Sequence, residues 1–158
     1  MGENVLSLQI REELAHRRSA LKSAMSRFEL ALARPTGGEP DGWLRLTLER
    51  LEDLRDRVRD HVRINEADDS FFADMARSRP ELNAAIARLS REHAKILENI
   101  DSLTSTLVRQ LAPGNVDSPD VTGVRARGTD LLLLLIHHRQ RSADLAWESV
   151  NLDFGSGD

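Results

Sequence analysis

The chain has 158 residues, a formal net charge of −4, no cysteine and only 4% aromatics. That length holds one ordinary core, and the absence of cysteine excludes disulfides, thiolate zinc sites, iron–sulfur clusters and cysteine nucleophiles. Charges of both signs are interspersed, leaving no basic face of the kind nucleic acid demands, and a palette rich in Ala, Leu, Arg, Glu and Asp favours long helices over strands.

The opening MGENVLSLQIREEL lacks the cationic, apolar and small-residue order of a signal peptide. The longest aliphatic run, Leu131 to Ile136, is far short of the roughly 20 apolar residues that span a bilayer. A cytoplasmic protein with no membrane or nucleic-acid partner is expected, and neither a protein partner nor an oligomeric state can be read from the sequence.

Breaks at Pro35-Thr-Gly-Gly-Glu-Pro40 and Ala112-Pro-Gly-Asn-Val-Asp-Ser-Pro119, with a capping box at Ser78-Arg-Pro-Glu81, divide the chain into four segments. The first, 4–34, carries Ile10, Leu14, Leu21, Met25, Phe28 and Leu32 at helical spacing. The second, 42–77, carries Leu44, Leu48, Leu51, Leu54, Val58, Val62, Phe72 and Ala76. The third, 80–111, carries Leu82, Ile86, Leu89, Ile96, Leu97, Ile100, Leu107 and Leu111. The fourth, 119–150, carries Leu131, Leu134, Leu135 and Leu145. Steps of three, four and seven predict amphipathic helices. Their short connections predict an all-α, up-down-up-down antiparallel four-helix bundle in a single domain over 1–158.

Polar residues on the apolar stripes are few. His93 falls mid-stripe on the third helix, and His138 falls between Leu131, Leu134, Leu135 and Leu145 on the fourth. His61 projects within ~60° of the second stripe's centre, with Asn65 and Asp69 continuing inward from it. Counted at ~1.5 Å per residue, His61 lies ~28 Å from the first loop, and His93 and His138 each lie ~28 Å from the last. Three histidines from three helices therefore share one layer, with Ser142 one turn beyond His138. His16 has the right height but lies ~140° from its stripe, and His137 points away. Burying so many polar groups unpaired costs ~1–3 kcal/mol each, so a metal, waters or a closed network must satisfy them.

The stretches "REELAHRRSAL" (11–21), "RDHVRINEADDSFF" (59–72), "RPELNAAIARLSREHAKILENI" (79–100) and "HHRQRSADLAWESVNLDFG" (137–155) resemble the hemerythrin-like (HHE cation-binding) family. The resemblance implies two non-haem irons held by five histidines and two bridging carboxylates, in proteins that handle oxygen, sense redox state or store iron. It places His61, His93 and His138 in ligand-like positions, with His16 as the helix-one histidine. The sequence departs from that pattern in three places. Asn65 stands where a carboxylate is expected, with Glu66 one residue late and ~100° away. Leu97 replaces a second histidine on helix three, and Ser142 and Ala143 replace the acid after His138. Glu92 is assigned to a charged outer face. The leading expectation is a degenerate site holding at most one divalent metal, iron or another, in a sensor or binding module. A di-iron redox or oxygen-handling protein and a metal-free scaffold are the alternatives.

Overall fold

In the computed structural model the backbone is described for residues 2–155, and the side chains for 8, 9 and 12–149. The described residues contain five α-helices, one 3-10 turn and the loops between them, with no strand. Helix α1 spans Gly2–Ala33, α2 Pro40–Asn65, α3 Phe71–Ser78, α4 Asn83–Gln110 and α5 Val121–Gly155, with the 3-10 turn at Pro80–Leu82. The expected all-helical class is present. The long helices form a closed ring of neighbours: α1 packs on α2 and α5, and α4 packs on α2 and α5.

The turn chemistry explains most of the boundaries. Gly37 and Gly38 take φ of +60° and +82°, a region open to glycine, so the chain reverses before Pro40 opens α2. Gly114, at φ +80°, serves the last loop in the same way. Asp120 precedes α5, and its carboxylate accepts from Gly123 N at 2.9 Å.

Two sequence expectations are corrected here. The second segment is two helices, because α2 ends at Asn65, whose follower Glu66 donates its N–H back to the Val62 carbonyl at 2.9 Å. Ser70 then starts α3, its hydroxyl accepting from Ala73 N at 3.1 Å. The capping box at 78–81 does not form: Ser78 closes α3 with its hydroxyl on the Asp74 carbonyl at 2.9 Å, and α4 begins only at Asn83. Pro80 and Glu81 lie in the 3-10 turn between.

The apolar stripes bury as their spacing predicts, although Ile10 lies outside the described side chains. A large core gathers Leu21, Met25, Phe28 and Leu32 from α1 with Leu44, Leu51, Leu54 and Val58 from α2. Ile96, Ile100, Leu103 and Leu107 from α4 and Leu131, Leu132 and Leu135 from α5 complete it. A smaller core holds Met75, Leu82, Leu89 and Leu145, with Phe72 and Ile86 against it. On α4 the large core ends at Ile96 and the small one begins at Leu89; on α5 the corresponding residues are Leu135 and Leu145. His93 and His138 occupy the gap between, so the polar layer separates two apolar compartments.

Candidate metal centre

His61 on α2, His93 on α4 and His138 on α5 converge, each offering a ring nitrogen within 4.8 Å of the others. His93 Nε2 lies 3.0 Å from His138 Nε2, and His61 Nε2 lies 3.3 Å from His138 Nε2. Two nitrogens on one tetrahedral zinc, each at 2.0–2.1 Å from it, stand about 3.3 Å apart. The two spacings at His138 are close to that separation, so the three histidines could hold a metal ion. His93 and His138 are buried at 3% and 2% exposure, and His61 is half-buried.

The far nitrogens are held by carboxylates. His93 Nδ1 lies 3.0 Å from Glu66 Oε1, and His138 Nδ1 lies 2.9 Å from Glu92 Oε2. Glu92 is in turn paired with Arg141 at 2.7 Å and with Arg88 at 3.3 Å. A carboxylate accepts and cannot donate, so it selects the tautomer with the proton on Nδ1 and turns the Nε2 lone pair inward. Sequence reasoning missed both acids. Projection along an unbroken α2 turns Glu66 away from the layer, but it caps the helix end and reaches His93 on α4. The charge pattern of α4 puts Glu92 on an outer face, but it crosses the α4–α5 seam to His138 and Arg141. Its position one residue before His93 was the available signal.

Burial favours the neutral form of His61 and His138. Burial pushes His61 down from the ordinary 6.5 to about 3, and the fields of His93, His138, Arg139 and Arg18 act in the same direction. Burial also lowers His138, and the hydrogen bond to Glu92 only partly opposes it. For Glu92, burial acts to raise the carboxyl, but His138 and Arg141 outweigh it and hold the group below its ordinary value.

The other candidates fall outside the cluster. His16 is exposed on α1, as its poor facing predicted, so the helix-one position implied by the resemblance supplies no ligand to this group. His137 is also exposed. Asp69 does not continue inward, because α2 has already ended and the residue is exposed in the turn before Ser70. Ser142 is half-buried and makes no hydrogen bond to the cluster among the described residues. Asn65 does reach the site: its amide Nδ2 lies 2.9 Å from His61 Nε2 and 3.2 Å from His61 Nδ1.

No helix is long and apolar enough to cross a membrane among the described residues. Compared with protein-family models, curated proteins and solved structures, the chain gives no match.

Proposed function

We propose that this chain is a cytoplasmic, hemerythrin-like metal-binding module, an up-down-up-down antiparallel four-helix bundle whose His61, His93 and His138 hold one divalent ion. The closed ring of helix neighbours supports that course of the chain. The observation that carries the metal reading is the pair of buried Nε2 atoms 3.0 Å apart whose opposite nitrogens both face carboxylates. Each neutral imidazole has a single N–H. With both protons drawn to Glu66 and Glu92, two lone pairs point at each other in a low-dielectric layer, which is repulsive unless a cation lies between them. A proton is a poor remedy, since burial disfavours the charged form of His138. A dication coordinated by imidazole satisfies all three rings at once, and Zn²⁺, Cu²⁺, Ni²⁺ and Fe²⁺ suit such ligands.

The same geometry weighs against a two-iron centre. Glu66 and Glu92 are engaged with ring nitrogens on the far side of the histidines, where neither bridges a metal pair. The module therefore fits a sensor or carrier of one ion better than an oxygen-handling enzyme. The test is metal uptake by the untagged full chain against a chromophoric chelator. One zinc or cobalt per chain is expected, with uptake abolished in His93→Leu. Two irons per chain with a charge-transfer band would establish the di-iron alternative. No uptake, together with a more stable His93→Leu, would establish the metal-free scaffold.

A further inference from the structure

Away from the histidine layer, α1 and α5 part to leave a cleft of about 630 Å³, within the range of small-molecule sites. The two helices approach closely where Leu32 of α1 meets Gly128 of α5, and Arg125 ties the same level to the end of α1. Ten residues back along α1 from Leu32 is Lys22, and eleven on along α5 from Gly128 is Arg139; both line the cleft. The Leu32 contact therefore marks one end, and two cations stand at the other, about 15 Å away at about 1.5 Å per residue.

The walls between are apolar. Met25 and Leu132 are buried members of the large core, whereas Leu133 and Ile136 remain 47% and 49% exposed. Single exposed aliphatic residues are ordinary, but these two continue a concave apolar surface that a bound chain would cover. The charges are arranged unevenly along it. Arg125 is engaged with the Leu32 and Arg34 carbonyls and lies 5.2 Å from the centre of the Trp43 ring. Glu29, the one acid among the described lining residues, is seven positions on from Lys22 and so lies towards the Leu32 end. Lys22 and Arg139 make no hydrogen bond or ion pair among the described residues. One end thus attracts an anion and the other repels it. That asymmetry suits a ligand with a single anionic group on an apolar chain, whereas an acidic helix would carry charge along its length and meet Glu29.

We infer that the cleft between α1 and α5 binds a free medium-chain carboxylate, its head held by Lys22 and Arg139 and its chain lying along Met25, Leu132, Leu133 and Ile136. A reach of about 15 Å accommodates roughly a dozen extended carbons at about 1.5 Å per staggered bond. The site is separate from the histidine layer and does not require an ion there.

The experiment titrates the full chain with dodecanoate, below its micelle concentration, by calorimetry. One molecule per chain is expected, with affinity rising roughly two- to fourfold per methylene from octanoate to dodecanoate. The methyl resonances of Met25, Leu133 and Ile136 should move on binding. Dodecyltrimethylammonium, of similar length and opposite charge, should bind at least about tenfold more weakly. A folded Lys22→Gln, Arg139→Gln double variant should lose about tenfold in dodecanoate affinity and little in dodecanol affinity. Ile136→Asp, at an exposed position, should weaken both. Equal binding of the anionic and cationic probes, unchanged dodecanoate affinity in the double variant, or saturation at several molecules per chain overturns the assignment. Occupation of the cleft by an acidic amphipathic peptide, with no response to dodecanoate, also overturns it and gives the surface to a protein partner. Zinc uptake is read separately, so failure here leaves the metal reading as it stands.

Discussion

At the residue scale, burial favours neutral His61 and His138, and that fixes how stability responds to acid. The folded His61 sits at about 3, whereas in the unfolded chain it returns to its ordinary value near 6.5. Between those limits the unfolded state binds the extra proton, so stability falls as pH falls from about 6.5 towards 3. His138 is displaced in the same direction, and the lowered Glu92 adds a loss further down as its carboxylate protonates. Metal-free protein should lose several kcal/mol of unfolding free energy between pH 7 and pH 4, measured by urea titration, and His61→Leu should remove much of that slope. A flat profile would mean that His61 and His138 are not held neutral. The three histidines were legible from projection and height because each lies on a regular helix inside a leucine stripe. Glu66, Glu92 and Asp69 were misplaced for one reason: projection assumes an unbroken helix and cannot follow a long carboxylate across a seam. Sequence position alone therefore showed where the rings point but not what holds them from behind.

At the scale of elements, the helix seams differ in how closely the chains approach. A Cβ on Gly128 of α5 would lie 2.5 Å from Cδ1 of the buried Leu32 on α1, so glycine here sets how closely the two helices pack. Arg125 reinforces the same level with hydrogen bonds to the carbonyls of Leu32 and Arg34 at 2.9 and 2.8 Å. Gly128→Ala gains roughly 0.5–1 kcal/mol in helix propensity but must displace Leu32, at roughly 1–3 kcal/mol. A net loss of about 1 kcal/mol is expected from chemical denaturation, with metal affinity unchanged because the layer lies further along α5. Stabilisation by this substitution would show the seam to be looser than described. The stripes anticipated which face of each helix is buried, and the glycine- and proline-rich loops anticipated two of the three main breaks. The break at 66–70 escaped notice because Glu66, Ala67, Asp68 and Asp69 contain neither glycine nor proline. Only Ser70, capping α3, marked it.

For the whole molecule, the three histidines join three of the four long helices, whereas α1 contributes none and is held by the large core, by Arg27 on Asp53 at 2.7 Å and by Arg125 on its Leu32 carbonyl. An ion bound by the histidines stabilises the folded state by about 2.7 kcal/mol at a free concentration a hundred times its dissociation constant. That stabilisation should be visible as structure-specific protection. Zinc should slow amide exchange most in α2, α4 and α5 around the layer, and least in α3 and the first half of α1. Equal protection everywhere would mean that the bundle opens only as a unit, and protection confined to one helix would place the ion elsewhere. The large core lies on one side of the layer and the small core on the other, so the layer also sets where the two compartments can part.

The distance between the ligands along the chain has a kinetic consequence. His93 and His138 are 45 positions apart, and His61 and His138 are 77 apart. A loose chain holding one histidine must close long loops to find the next, and each closure costs entropy before any bond is gained. The unfolded polypeptide should therefore be a weaker chelator than a short finger whose ligands are near neighbours, and an ion bound at this layer should contribute less to templating the fold. Under the proposed function, collapse should come first and capture second. If an ion is held as proposed, its residence time should follow the opening rate of the bundle more closely than the strength of any single nitrogen–metal bond.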